Sequence, residues 1–281
     1  MFSVRSVSAC HTGGMRAAAI QLASTIDNAR NRELVDARLR ALTPDVDLVV
    51  LPEATMHDFG APDHELGPHA EPLDGPFVAL LAEHARRLGA TVVAGMFEPG
   101  PDDLPFNTLA VVGPDGSLAA SYRKIHLYDS FGYAESDRLA AGDLVPVTVD
   151  VAGVRAGLMT CYDLRFPELA RALVDDGADL LVVPAAWVAG DLKVHHWRTL
   201  LAARAIENVV PVVAAAQGGR RYSGHSLILD ARGTTLGEAD EREDDLVRAE
   251  LDPVDVTRAR EVNPSLANRR LPGPLAREGG R

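Results

Sequence analysis

Short, almost unbroken apolar runs alternate along this chain with stretches whose apolar residues recur every three to four positions, and hairpins interrupt the alternation midway. Residues 16–22 (RAAAIQL), 47–51 (DLVVL, stopped by Pro52) and 91–96 read as buried strands. Between them, 26–42 carries Leu34, Val35, Leu39 and Leu42 at helical spacing. A second helix, opened by Gly75-Pro76, carries Phe77, Leu80, Leu81, His84, Ala85 and Leu88. In the middle, 107–112 and 118–122 flank the turn Gly113-Pro-Asp-Gly-Ser117, and 147–151 and 154–160 flank Ala152-Gly153. A helix is expected from Pro167, a strand over 180–184, a helix over 194–208, strands over 209–215, 225–230 and 246–251, and a short helix over 252–260. Strands this apolar must be covered on both faces. The expected fold is therefore α/β, a four-layer αββα sandwich of two mixed sheets packed face to face with helices outside.

There is no internal repeat and no Ser/Gly/Pro-rich linker, so residues 15–270 are expected to form one domain. Residues 1–14 read as a flexible extension without the apolar run of a secretory signal, and 271–281 as a tail. A net charge of −12 with no basic stripe argues against nucleic acid. No apolar run approaches the roughly 20 residues of a membrane helix. The only cysteines are Cys10 and Cys161, too few for a disulfide scaffold or a four-cysteine zinc site. A Cys10–Cys161 bridge is not expected, and the reading is a cytoplasmic protein with a free Cys161.

Three segments carry chemistry. Glu53, in Leu51-Pro-Glu-Ala-Thr-Met56, follows a buried strand directly, where a desolvated carboxylate suits a general base. By spacing alone it reads more readily as a solvated loop residue. Lys124, in Ser121-Tyr-Arg-Lys-Ile-His-Leu-Tyr128, sits in an apolar and aromatic neighbourhood where it can stabilise an oxyanion, or it is a surface lysine. Cys161, in Gly157-Leu-Met-Thr-Cys-Tyr-Asp-Leu-Arg-Phe-Pro-Glu168, ends a strand before a turn and a helix. Such a corner presents a nucleophile, and a helix N-terminus and a lysine are expected to lower the thiol pKa. The alternative is an inert buried cysteine.

Taken together, LPEAT, YRKIHLYD and TCYDLRFPEL resemble the Glu–Lys–Cys triad segments of the nitrilase, or carbon–nitrogen hydrolase, superfamily. FGYAES (131–136), PAAW (184–187), RAIEN (204–208) and Gly224-His225-Ser226 extend the resemblance from about residue 15 to about residue 270. Tyr162-Asp163 beside the cysteine, in place of Trp-Glu, is similar to amidases of the omega-amidase and deaminated-glutathione amidase type. The resemblance implies the αββα fold and a homodimer. It implies that Cys161 attacks an amide with Glu53 as base, that Lys124 and the Tyr162 backbone N–H hold the oxyanion, and that Glu135 orients Lys124 or the leaving nitrogen. Ammonia is released through a cysteine thioester, with no metal or organic cofactor.

The expected partner is a small-molecule amide. Arg165 either binds its carboxylate or pairs with a protein acid such as Glu168, and Trp187 either forms an apolar pocket wall or packs in the core. Adjacent His195 and His196 point about 100° apart on a helix and make a poor metal site. His126 and His225 admit a Cys–His hydrolase, though His126 reads better as a packed residue positioning its loop. N-carbamoyl or nitrile hydrolysis at the same site, and a catalytically retired scaffold, are the alternative functions.

Overall fold

Strand β1 (Met15–Gln21) sends alternate residues into two different cores, as the two-residue period of a strand requires. Ala17 and Ala19 join a core between two sheets, while Ala18 and Ile20 join one beneath a helical layer. The computed structural model describes residues 14–130 and 132–271. Apart from Gly14 and Leu271, the expected extension and tail lie outside these residues, as do Cys10 and Phe131.

In chain order the elements are β1, α1 (Asn28–Arg40), β2 (Leu48–Val50), α2 (Pro76–Leu88), β3 (Thr91–Glu98), β4 (Phe106–Val112) and β5 (Leu118–Arg123). The small pair β6 (Asp129–Ser130) and β7 (Tyr133–Ala134) follows, then β8 (Thr148–Val151), β9 (Val154–Leu158), α3 (Pro167–Asp175), β10 (Leu180–Ala185) and α4 (Lys193–Asn208). The chain continues through β11 (Val212–Ala216), β12 (Leu227–Leu229), β13 (Thr235–Glu238), β14 (Asp245–Leu251) and α5 (Pro253–Val262).

Two six-stranded mixed sheets result, ordered β14-β1-β2-β3-β4-β5 and β13-β12-β11-β10-β9-β8. Each has three parallel strands at its centre, β1-β2-β3 and β9-β10-β11, with antiparallel strands outside them. The sheets meet along β1 and β11, and an isolated parallel bridge joins Leu22 to Gln217. Val35 and Leu39 of α1 and Phe77, Leu81, Ala85 and Leu88 of α2 cover one sheet; Leu169 and Leu173 of α3 and Trp197, Leu201 and Ala205 of α4 cover the other. This is the αββα sandwich. Fully burying the valine, leucine and phenylalanine side chains of these helices contributes about 1.5–3 kcal/mol each.

Local chemistry sets the boundaries. The Asp27 carboxylate caps α1 by accepting from the N–H groups of Ala29 and Arg30, so the helix begins at Asn28 rather than at residue 26. The strand expected over 209–215 begins only at Val212, because Val209 is the left-handed cap of α4, with φ of +50°. The expected strand over 225–230 is confined to Leu227–Leu229. Strand β13 and the β6–β7 pair were not expected. Among the described residues no helix is long and apolar enough to cross a membrane.

Candidate active site

All seven side chains singled out from the sequence line one cavity of about 360 Å³: Glu53, Lys124, Glu135, Cys161, Tyr162, Arg165 and Trp187. The topology explains the convergence. Glu53 follows β2, Lys124 follows β5, Cys161 follows β9 and Trp187 follows β10. Two antiparallel reversals leave edge strand β5 running in the direction of β2 and β3, so all four side chains lie beyond the carboxyl ends of their strands, where such sheets open a common crevice.

Glu53 is held from several sides. Its Oε1 accepts from Lys124 Nζ at 3.0 Å and from Asn107 Nδ2 at 2.7 Å, and its Oε2 accepts from the Ala186 N–H at 2.6 Å. Its backbone carbonyl accepts from Gln217 Nε2 at 2.9 Å. Gly95 in β3 passes so close that a Cβ there would lie 2.6 Å from the Glu53 Cα and the Ala54 nitrogen, so only glycine fits. Lys124 also donates to Glu135 at 3.0 and 2.8 Å, and Glu135 Oε2 accepts from the Tyr128 N–H at 2.5 Å. Glu53, Lys124 and Glu135 are all buried, at 1%, 2% and 2% exposure, so the single lysine charge, and not solvent, offsets the two carboxylates.

Burial alone would lower the Lys124 pKa, but the Glu135 and Glu53 carboxylates outweigh it and hold the ammonium well above its ordinary value. Burial raises Glu135, with Lys124 opposing and Glu53 reinforcing. Cys161 corrects an expectation. Its thiol is pushed well above the ordinary value, first by burial and then by the Glu53 carboxylate, and Lys124 only partly offsets them. Lys124 is already flanked by two carboxylates, so a thiolate would add a second uncompensated negative charge. The resting residue is a thiol beside a carboxylate.

Cys161 has φ of +46°, a left-handed conformation rare for a residue with a Cβ. It opens a 3₁₀ turn, Cys161–Arg165, between β9 and α3, a strained corner that turns the half-buried side chain into the cavity. The turn is braced by Asp163, which is fully buried. Its carboxylate accepts from Tyr122 Oη at 2.6 Å, from the Thr160 N–H at 2.9 Å and from the His126 N–H at 3.1 Å, and His126 Nδ1 lies 2.7 Å away. His126, stacked on Phe166 at 3.8 Å, thus positions the lysine segment against the cysteine turn. His225 is not among the cavity-lining residues and contacts the Ala239 carbonyl. Among the described residues, the Tyr162 backbone N–H has no protein acceptor.

Arg165 makes no ion pair with Glu168 or any other carboxylate among the described residues; its guanidinium lies 5.1 Å from the Trp187 ring centre. Trp187 both lines the cavity and packs on Trp197, its Nε1 donating to the Lys193 carbonyl at 2.9 Å.

Sequence reasoning missed Asn107, Tyr128, Lys193 and Arg221. A buried asparagine in the apolar strand FNTLAVV was one signal. Lysine usage was another: the chain has only two lysines, Lys124 and Lys193, and both line the cavity. Burial and the nearby Arg165 charge lower the Lys193 pKa, so the two cations face the same space. Arg221 enters beside Tyr222, tied to Asp58 at 3.0 Å.

The carbon–nitrogen hydrolase family model matches residues 16–261. Deaminated glutathione amidase of Escherichia coli O157:H7 is 40% identical over 264 residues, spanning 92% of this chain and 99% of its own. The 2-oxoglutaramate amidase of Paenarthrobacter nicotinovorans is 38% identical over 236 residues, spanning 80% and 78%. A solved structure of an amidase variant from Nesterenkonia sp. AN1 shows covalent addition of the acetamide moiety of fluoroacetamide at the active site cysteine. It superposes with a TM-score of 0.77 at 25% identity, covering 94% of this chain and 97% of that one. With the match spanning nearly the whole sandwich and every segment that lines the cavity, this chain belongs to the carbon–nitrogen hydrolase family.

Proposed function

We propose that the protein is an amidase that hydrolyses small, carboxylate-bearing amides through a thioester on Cys161 and releases ammonia. One observation carries this reading: Glu53, Lys124 and Cys161 line a single cavity, with the carboxylate pinned by three donors. Glu53 takes the proton from the Cys161 sulfur as the sulfur bonds to the amide carbon. The oxyanion is held by Lys124 and the Tyr162 backbone N–H. Glu53 passes the proton to the leaving nitrogen, the C–N bond breaks, and ammonia departs. Water then attacks the thioester, with Glu53 taking its proton and passing it to the sulfur as the C–S bond breaks, so that the acid leaves and the thiol is restored. Glu135 and Asn107 keep the lysine and the glutamate aligned. A resting thiol suits this route, because the base acts only during attack.

The carboxylate preference rests on Arg165 and Lys193 facing the cavity, with Arg165 lacking an acid partner among the described residues. It agrees with the substrate named for the Paenarthrobacter relative, since 2-oxoglutaramate is an amide of a dicarboxylic acid. A reducing, cytoplasmic setting belongs to the same reading, because the nucleophile must stay a free thiol. So does a homodimer: Ile206 on α4 and Val254 and Val262 on α5 are exposed apolar side chains that a second copy would cover. The direct test is a screen of ω-amide acids, their neutral analogues, N-carbamoyl acids and nitriles for ammonia and carbon dioxide. The proposal expects ammonia without carbon dioxide, fastest from the amide acids. Turnover confined to nitriles or carbamoyl compounds would contradict it.

A further inference from the structure

Four residues beyond Glu53 the chain places a second cluster of chemistry-bearing side chains, outside the cavity. The ligand nitrogens of His57, His64 and His69 all lie within 4.8 Å of one another. Buried His57 is the fixed member, and the other two are half-exposed. Its Nδ1 lies 2.7 Å from Asn28 Oδ1. Asn28 is itself oriented, since its Nδ2 donates to the His69 carbonyl at 2.9 Å and to Glu71 Oε1 at 3.1 Å. The oxygen therefore faces His57 and takes its Nδ1–H. That leaves a lone pair on His57 Nε2, aimed at His64 Nε2 only 2.8 Å away.

We propose that His57, His64 and His69 form a binding site for a first-row divalent cation of the zinc class. Imidazole nitrogens suit zinc, copper and nickel, and three of them with one water complete a tetrahedral shell. An Nδ1–H donated to a fixed carbonyl oxygen is the support that metal-bound imidazoles generally have. Zinc–nitrogen bonds of about 2.0–2.1 Å would set the three nitrogens roughly 3.3 Å apart. The 2.8 Å pair must open slightly, and the widest separation must close. The rings are now stacked, with centroids 4.2 Å apart for His57–His69 and 5.1 Å for His57–His64, so binding turns the two half-exposed rings out of the stack. The site also reaches the cavity wall. Asp58, next to His57, accepts from Tyr222 Oη at 2.6 Å and pairs with Arg221, so a cation on His57 would brace the segment that carries Glu53.

The test uses the full chain with Cys10→Ala and Cys161→Ser, so that no thiol competes for metal, stripped with chelator and titrated with Zn²⁺ by calorimetry. The expected result is one equivalent bound, weakened at least about tenfold to a hundredfold by His64→Ala/His69→Ala, and unchanged by His195→Ala/His196→Ala. Equal binding with and without His64 and His69, or no binding by the parent protein, would overturn the proposal. Co²⁺ absorption of the parent decides the matter even if the double variant fails to fold. Tetrahedral nitrogen-ligand bands support the site, and the spectrum of the free aqua ion alone overturns it.

Discussion

Lys124 Nζ stands 3.0 Å from Glu53 Oε1, and neither side chain has more than 2% of its surface exposed. With Glu135 on its other side, the lysine is the only cation among these three interlocked buried charges. Removing it strands two carboxylates in a dry site. Lys124→Met should therefore destabilise the fold by about 3–5 kcal/mol, the usual cost of leaving a buried charge unpaired. Denaturant midpoints of the variant and the parent measure this, and turnover should fall with it even where the variant is fully folded.

Cys161→Ala and Cys161→Ser should abolish turnover while leaving the circular dichroism spectrum intact. Loss of a covalent nucleophile removes several orders of magnitude. The half-buried side chain is small, so the substitution leaves little cavity. Ammonia release by the folded variants within tenfold of the parent would rule out the assigned role.

The raised Cys161 pKa makes a signed prediction about pH. An unfolded thiol ionises near about 8.5, whereas the folded one holds its proton to higher pH. This group's stabilising contribution is therefore complete below that value and is lost as pH rises from it through the folded pKa. The parent should lose stability above about pH 8.5 more steeply than Cys161→Ser, while ultraviolet thiolate absorbance should be absent at neutral pH. A thiolate already present at pH 7 would show that Lys124, and not Glu53 with burial, governs the sulfur.

Arg165→Met should lower kcat/KM for amide acids by roughly tenfold to a hundredfold or more, the equivalent of one charged hydrogen-bonded contact. Activity on the methyl ester of the same amide should change far less. Equal losses on both would mean that Arg165, stacked near Trp187, only braces the Cys161 turn.

Much of this architecture was legible because burial leaves a pattern. The central strands are apolar on both faces, so β1, β2, β3 and β10 appear as unbroken runs, and the helices show their covered side. Strand β13 was not legible: it is an exposed edge, TLGE, with no periodicity, and its pairing with β12 shifts register at Ile228/Leu229. Glu53, Lys124 and Cys161 could be found because each ends or follows a strand within a distinctive segment. Asn107 reaches Glu53, and Tyr128 and Lys193 reach the cavity, from places where neighbouring residues say nothing about direction. The thiol pKa is expected to fall from the sequence because a helix N-terminus and a lysine lie nearby; burial and then the Glu53 carboxylate reverse the sign, and only the packed structure reveals both. His57, His64 and His69 lie close in sequence, but their convergence depends on the loop path after Glu53.

Cys161 should become acylated during turnover. Mass spectrometry of the protein acid-quenched within the first turnovers on an amide acid measures this directly. An adduct equal to the substrate mass less ammonia is expected, located on the peptide that contains Cys161 and absent from Cys161→Ala. Continued hydrolysis with Cys161 unmodified, and undiminished in Cys161→Ala, would contradict it.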